Sequence, residues 1–564
     1  MERTNYWSRT ISRRRLMAVS GTAGAGLAAL ALTGCGDDDD SDDSPGGETP
    51  AGGSPQPSAS AEAQVPDSKK NGTLLSRQGA AFASINPYKG LDSGLLWGFT
   101  IFDHLFYTPY DTGVRELFLA SKIETPDPLT INATIGEGFF HNKAPVNGRA
   151  IKATDVKASL ESASKQTRIS NSSWWTTILS SVAATDDKNI TVKLKAPDAW
   201  TFTSTNFGSP IAGSIIPEEI ALDPDRMDTA LIGSGRYEFV SHENGTNFQL
   251  KRAENWRIKG EPWLAGINYK LIQEQALALT AFSAEEIYSV ALSNKLERDQ
   301  LVQQHGKDVD IDTDVSRSVW TVVHRGDGQW ANPKVMQAIS RALDRQEFID
   351  LMNFGDGELS GPVPPPFGSQ ALTEAEITGT WGKTDIAEAK ALLSSTGFDT
   401  SKEYILKFIT PGERGAQFAQ IVQQQLKQNL GINIKLVGED FGNWLAQSLY
   451  GSGFDFITFP SLAYDDPSSY VGAYGKTIGG RPNWAGFVNE ELDAAILEQK
   501  ATFNDEARNK LVHDIQLKAW ELGAPYIPVF VAISNSATWG FVKGRVTGRG
   551  SYGLFNGRVY LDQA

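Results

Sequence analysis

The sequence predicts a mixed α/β protein built from two or more lobes. Three observations carry that expectation. At 564 residues the chain exceeds the roughly 250–300 residues at which a single hydrophobic core stops growing. From Thr73 onward, short stretches with an apolar period of two alternate with stretches of helical period. No period of 20–50 residues recurs, which argues against a solenoid. The composition, 40% hydrophobic and 10% aromatic, supplies ample material for packed cores.

Taken in order, the chain opens on an address. Ser12-Arg13-Arg14-Arg15 precedes a weakly apolar run, residues 18–32, diluted by Gly21, Thr22, Gly24 and Gly26. A basic cluster before a short apolar region reads as an export signal, and the paired arginines point to the twin-arginine route. The run is about fifteen residues, short of the roughly twenty a membrane-spanning helix needs. It ends in Leu32-Thr33-Gly34-Cys35, which resembles the lipobox of bacterial lipoproteins. Residues 1–34 are expected to be a signal peptide and Cys35 the lipidated N-terminus. Cys35 is the only cysteine, so the remainder has neither disulfide nor thiol chemistry. Residues 35–68 are expected to form a disordered acidic tether. Its stretch 36–66 holds eight acidic residues, no Lys or Arg, and mostly Gly, Ser, Pro and Ala. Such a composition buries too little apolar surface to offset the entropy of ordering. A flexible chain of that length spans about 30 Å.

In the globular part, residues 189–195 alternate as a strand through Ile190, Val192 and Leu194, and residues 320–323 do the same. Asn332-Pro333 is a helix start, with Asn as cap and Pro at the first helical position. Val335, Ile339, Ala342 and Leu343 then share one face. Residues 386–395 and 416–430 form helices stopped by Gly397 and Gly431, the second followed by a strand through Ile432, Ile434 and Leu436. Residues 492–499 and 507–522 make a late helical pair.

Charge and motif content exclude several functions. Removing the five arginines and one glutamate before Cys35 takes the net charge from −15 to −19. An acidic body is a poor partner for nucleic acid, whose phosphates require clustered Lys and Arg. The six histidines (His104, His141, His242, His305, His324, His513) show no pair at metal-ligand spacing, so neither metal nor cofactor is expected. Ser162-Ala163-Ser164-Lys165 has the Ser-x-x-Lys spacing, but Lys476-Thr477 is followed by Ile478 instead of Gly. Gly24 to Ala29 and Gly548 to Gly553 match a loose dinucleotide pattern without the strand and helix it needs. No nucleophile–base constellation appears, and an enzyme is not expected; an extracytoplasmic hydrolase is the competing class.

The order of short motifs resembles the extracytoplasmic solute-binding proteins of ABC importers, family 5, the oligopeptide, dipeptide and nickel class. Asn86-Pro87-Tyr88 with Ile101 to Phe106 resembles the family's opening segment. Gly138-Phe139-Phe140-His141-Asn142 followed by Ala153-Thr154-Asp155-Val156, Ile215-Ile216-Pro217, and Gly233-Ser234-Gly235-Arg236-Tyr237 follow in family order, with Arg236 where the usual residue is Pro. Asn255-Trp256, Val335 to Arg345, residues 387–393 and Ala524 to Pro528 complete the set. The resemblance implies the two-lobed fold of periplasmic binding proteins (class II, with an extended first lobe) and a double hinge. Lobe I would comprise residues 69–318 and 531–564, and lobe II residues 319–530, with crossings near 319–323 and 529–533.

It further implies a cleft between the lobes that encloses a small molecule or short peptide, with ABC permease and ATPase subunits as partners and the body an extracytoplasmic monomer, on the outer face of the cytoplasmic membrane or in the periplasm. Trp174 and Trp175, and Trp97 in the stretch 91–97, occupy the family's first-lobe contact regions. Adjacent Trp side chains cannot share one face, so at least one is expected to face a groove. Phe459 to Pro467 resembles the second-lobe segment that lines the cleft, which makes Phe459, Tyr464 and Asp465 candidates. Arg414 lies near a segment from which some members offer an Arg to a ligand carboxylate. In peptide-binding members an Asp four residues before the Pro pairs with the peptide's ammonium group; here that residue is Ala463. A buried ammonium needs a paired charge, so this departure argues against capture of a free-amine peptide; Asp465 or Asp466 would take the role in a shifted loop, and both also suit an ordinary Asp-Pro turn. A sensing role on the same fold is a third reading.

Overall fold

The computed structural model describes residues 65–79, 84–89, 98–107, 115–166, 172–203, 206–229, 231–243, 246–410, 413–440, 443–444, 453–478, 481–546 and 557–563. The signal peptide, Cys35, nearly all of the tether and Trp97 lie outside the described residues.

In chain order, β1 (Thr73–Gln78), β2 (Ala120–Asp127) and β3 (Thr130–Ile135) lead to α1 (Ala153–Ala163) and α2 (Ser172–Thr177). Then come β4 (Leu179–Ala184), β5 (Asn189–Leu194), β6 (Tyr237–Glu243), β7 (Asn247–Arg252), β8 (Gly266–Leu271), β9 (Ser289–Leu292), α3 (Lys295–His305) and β10 (Val309–His324). The second half holds α4 (Pro333–Arg341), α5 (Arg345–Asn353), β11 (Gly357–Leu359), α6 (Ile386–Ser394), β12 (Glu403–Thr410), α7 (Glu413–Leu430), β13 (Asn433–Asp440) and β14 (Phe456–Pro460). It closes with α8 (Pro467–Val471), α9 (Glu490–Ala501), α10 (Asp505–Glu521) and β15 (Tyr526–Trp539).

Local chemistry explains these boundaries. Asn332 caps α4 by accepting from the Lys334 N–H at 3.1 Å, and Pro333 occupies the first turn. Val335, Ile339, Ala342 and Leu343 are fully buried on one side. Gly397 and Gly431 have φ of +70° and +71°, the left-handed geometry that ends a helix most cheaply with glycine. The isolated alternation at 320–323 is the end of a sixteen-residue strand, β10, whose earlier half is too polar to read as apolar alternation.

Two four-stranded sheets, β1-β8-β7-β6 and β2-β3-β5-β4, belong to the first lobe. A seven-stranded sheet, β9-β15-β10-β14-β12-β13 with β11 also on β15, runs through both. Within it β12, α7 and β13 form a parallel crossover, β13 lying parallel to β12 with the helix between.

The apolar side chains fall into two clusters. On β10, Val309 and Ile311 pack in the first, and Val315 and Val319 in the second. On β15 the switch falls between Ala532 and Ala537. The β10–β15 register slips between Val315 and Val319, which marks the same place as a natural bend. Both antiparallel strands thus pass from one apolar cluster to the other, β10 between Ile311 and Val315 and β15 between Ala532 and Ala537.

Candidate functional site

β14 ends at Pro460, whose missing N–H cannot continue a ladder. The next segment, residues 461–466, is fastened to the β10 crossing. Ser461 N–H donates to the Val319 carbonyl at 2.8 Å and its hydroxyl accepts from the Val319 N–H at 2.9 Å. The Ser318 hydroxyl donates to the Ser461 carbonyl at 2.6 Å. The loop's far end is fixed by Asp466, which accepts from the Ser469 N–H at 2.8 Å as the cap of α8, with Pro467 in the first turn. Between these anchors Leu462 and Ala463 are exposed. The loop is thus held rigidly at the lobe junction while presenting an apolar tip. An exposed apolar wall with few fixed polar groups suits a small organic ligand.

Aromatic rings support the loop. Tyr464 packs edge-on against Tyr470 at 5.1 Å, and its N–H donates to the Tyr470 hydroxyl at 3.1 Å. That hydroxyl donates to the Arg317 carbonyl at 2.6 Å, a second tie to the crossing. Burial pushes the Tyr470 phenol well above its ordinary range, so it stays a donor. Phe459 stands edge-on to Trp444 at 5.3 Å and lies 6.2 Å from Trp484. Asp465 is half-buried in the same loop.

Arg414 lies in the first turn of α7. Its guanidinium donates to the Ser293 carbonyl at 2.8 Å and to Asn353 Oδ1 at 2.5 Å, and sits 5.9 Å over Trp320. Ser293 precedes α3 and Asn353 ends α5, so this arginine ties three elements together. Burial draws its pKa down, opposed by the charge of Glu297.

Trp174 and Trp175 are both buried, at 4% and 0% exposure, in the first-lobe core. Their rings meet edge-on at 5.2 Å, with Phe207 about equally near each. Both rings pack in the first-lobe core, and Trp175 in addition borders a cavity. Trp174 Nε1 donates to Asp198 Oδ2 at 2.9 Å. A cavity of about 330 Å³ adjoins Trp175, lined by Glu161, Ser164, Leu179 and Lys195 among others, and every lining residue is in the first lobe. Residues the sequence did not single out are Tyr470, Asp198, Trp200 and Gln499.

Two α/β lobes joined by paired crossing strands, with a fixed loop at their junction, define a protein that takes a ligand between its lobes. The family model for bacterial extracellular solute-binding proteins, family 5 (middle), matches residues 118–480; the chain belongs to that family and is an extracytoplasmic solute receptor for an ABC importer. Among relatives, the dipeptide-binding protein DppE of Bacillus subtilis (strain 168) is 22% identical over 383 residues, 64% of this chain and 67% of that one. The glutathione-binding protein GsiB of Pectobacterium atrosepticum is 22% identical over 465 residues, 80% and 86% of the two chains. Among solved structures, AgaA of A. tumefaciens R10 in complex with agropinic acid superposes with a TM-score of 0.75 at 20% identity, covering 87% of this chain and 99% of that one. The oligopeptide-binding protein AppA of Bacillus subtilis with a nonapeptide gives 0.72 at 21% identity, covering 88% and 100%. These likenesses establish the fold.

Proposed function

We propose that this chain is a lipid-anchored receptor that encloses a peptide-like organic solute lacking a free α-amine, performs no covalent chemistry on it, and hands it to the importer as a monomer. The lipid anchor rests on the lipobox-like Leu32 to Cys35 and the acidic tether behind it. The solute class rests on one observation. At the loop position where peptide-binding members carry the ammonium-pairing Asp, this chain has Ala463, exposed beside Leu462 on a loop fixed at the crossing. A solute group placed there meets a methyl instead of a carboxylate, and an ammonium left unpaired in a closed cleft is costly. The relatives' names and titles span dipeptides, glutathione, agropinic acid and a nonapeptide, so the ligand varies among proteins of this fold.

The substitution Ala463→Asp tests this. A charge-assisted hydrogen bond contributes roughly 1.5–3 kcal/mol. Calorimetric titration of A463D with a dipeptide mixture should therefore show affinity for free-amine peptides raised by about 10- to 100-fold, with N-acetylated peptides unmoved. Nanomolar binding of free-amine peptides by the unaltered chain would overturn the solute class.

A further inference from the structure

Trp200 lies in the first lobe by chain position, between β5 and β6, yet its ring packs in the second lobe's apolar cluster at 8% exposure. The segment carrying it is built rigidly from first-lobe groups. Asp198 Oδ1 accepts from the Trp200 N–H at 2.9 Å while Oδ2 accepts from Trp174 Nε1 at 2.9 Å. Asn206 Nδ2 donates to the Trp200 carbonyl at 2.9 Å. From that base Trp200 Nε1 donates to Gln499 Oε1 at 2.7 Å, and the Ala199 N–H donates to the Lys500 carbonyl at 2.7 Å. Gln499 and Lys500 are in the last turn of α9, in the second lobe. The Arg508 guanidinium covers the Trp200 ring at 4.9 Å.

Gln499 passes the contact on. Its Nε2 donates to the Ser468 hydroxyl at 2.8 Å, and Ser468 lies two residues after the cap Asp466 in α8, the helix that fixes the loop at 461–466. Gln499, Ser468 and Trp200 are all buried. None of these groups belongs to the crossing strands β10 and β15. Moving the lobes apart about those strands would expose an indole ring and strip Gln499 of its first-lobe partner. Burying a large aromatic side chain and satisfying its N–H are both favourable, so this contact favours closure whether or not a solute is present.

We propose that Trp200 and Gln499 form a latch that keeps the closed arrangement populated without solute, and that Gln499 couples closure to the solute-facing loop through Ser468. A ligand then needs less differential affinity to complete closure, because the competent state is already partly occupied. This rests on the two-lobed receptor reading but on no particular solute.

The test uses the full chain with its single cysteine removed (C35S) and nitroxide labels at K188C and K510C, exposed positions on the two lobes. Pulsed electron double resonance without solute should give a dominant short-distance population. W200A should lose it in favour of longer distances, Q499A should do so in part, and W200F, which keeps the ring but not the N–H, should fall between wild type and W200A. If W200A does not fold by circular dichroism, W200F and Q499A carry the comparison. A dominant long-distance population in the unaltered background, or unchanged distributions in the variants, overturns the latch. Failure of the receptor reading would appear separately, as absence of solute binding whatever the distances.

Discussion

His141 illustrates how a single side chain reports on the lobe that holds it. It is fully buried, its Nε2 donates to the Gly235 carbonyl at 2.9 Å, and its Nδ1 accepts from the Gly233 N–H at 3.3 Å. Only the neutral ring can do both. Burial, with the charges of Lys143 and Lys251 adding to it, pulls the imidazole down to about 4. His104 and His324 are likewise lowered to about 4 by burial. A histidine depressed in the fold lends stability that is complete above its ordinary pKa near 6.5 and lost as pH falls from there toward 4. The loss approaches roughly 3 kcal/mol per histidine at the acid end. Asp103 opposes this: burial raises its carboxyl to about 6 despite the Arg257 guanidinium, so it loses stability as pH rises through that range. Burial raises Asp198, Asp314 and Glu358 in the same direction as Asp103, while hydrogen bonds and ion pairs lower Glu219, Asp228 and Glu376, which side with the three histidines on acidification. The melting temperature should therefore fall steadily between pH 6.5 and 4, and H141Q, starting lower, should fall less steeply. A melting temperature that is flat or rises on acidification would contradict the neutral assignment.

At the scale of elements, α8 and the loop before it form one mechanical unit. Asp466 is 2% exposed and accepts from both the N–H and the hydroxyl of Ser469. Removing such a cap costs about 1 kcal/mol. D466A should lower the unfolding free energy by about that amount in denaturant titration and speed amide exchange at Ser469 and Tyr464; unchanged exchange there would separate the cap from the loop. Helices with local signals were legible in the sequence, because Asn332-Pro333, Gly397 and Gly431 act through neighbouring backbone alone. The loop's anchor was not. Asp466-Pro467 could be read as an ordinary turn, and the bonds from Ser461 to Val319 and from Tyr470 to Arg317 join residues about 140–150 positions apart, a relation that periodicity does not record.

For the whole molecule, length and alternation indicated lobes, and the order of short motifs indicated which two-lobed family. What they left open is how the lobes meet. Trp200 crosses into the other lobe's core, and Arg345, which ends the Val335 to Arg345 motif, is a packing device. Buried at 1% exposure, its guanidinium donates to the carbonyls of Ser340, Leu343 and Pro528, tying α4 and α5 to β15 near the crossing. The account as a whole stands on reversible capture of an intact solute between these lobes. The most direct measurement is native mass spectrometry of the chain mixed with a peptide-rich growth-medium extract, followed by release and weighing of whatever it retained. Reversible capture should yield one small organic molecule per chain, recovered with its mass unchanged. Nothing retained at millimolar solute, or a solute recovered as cleavage products, would contradict it.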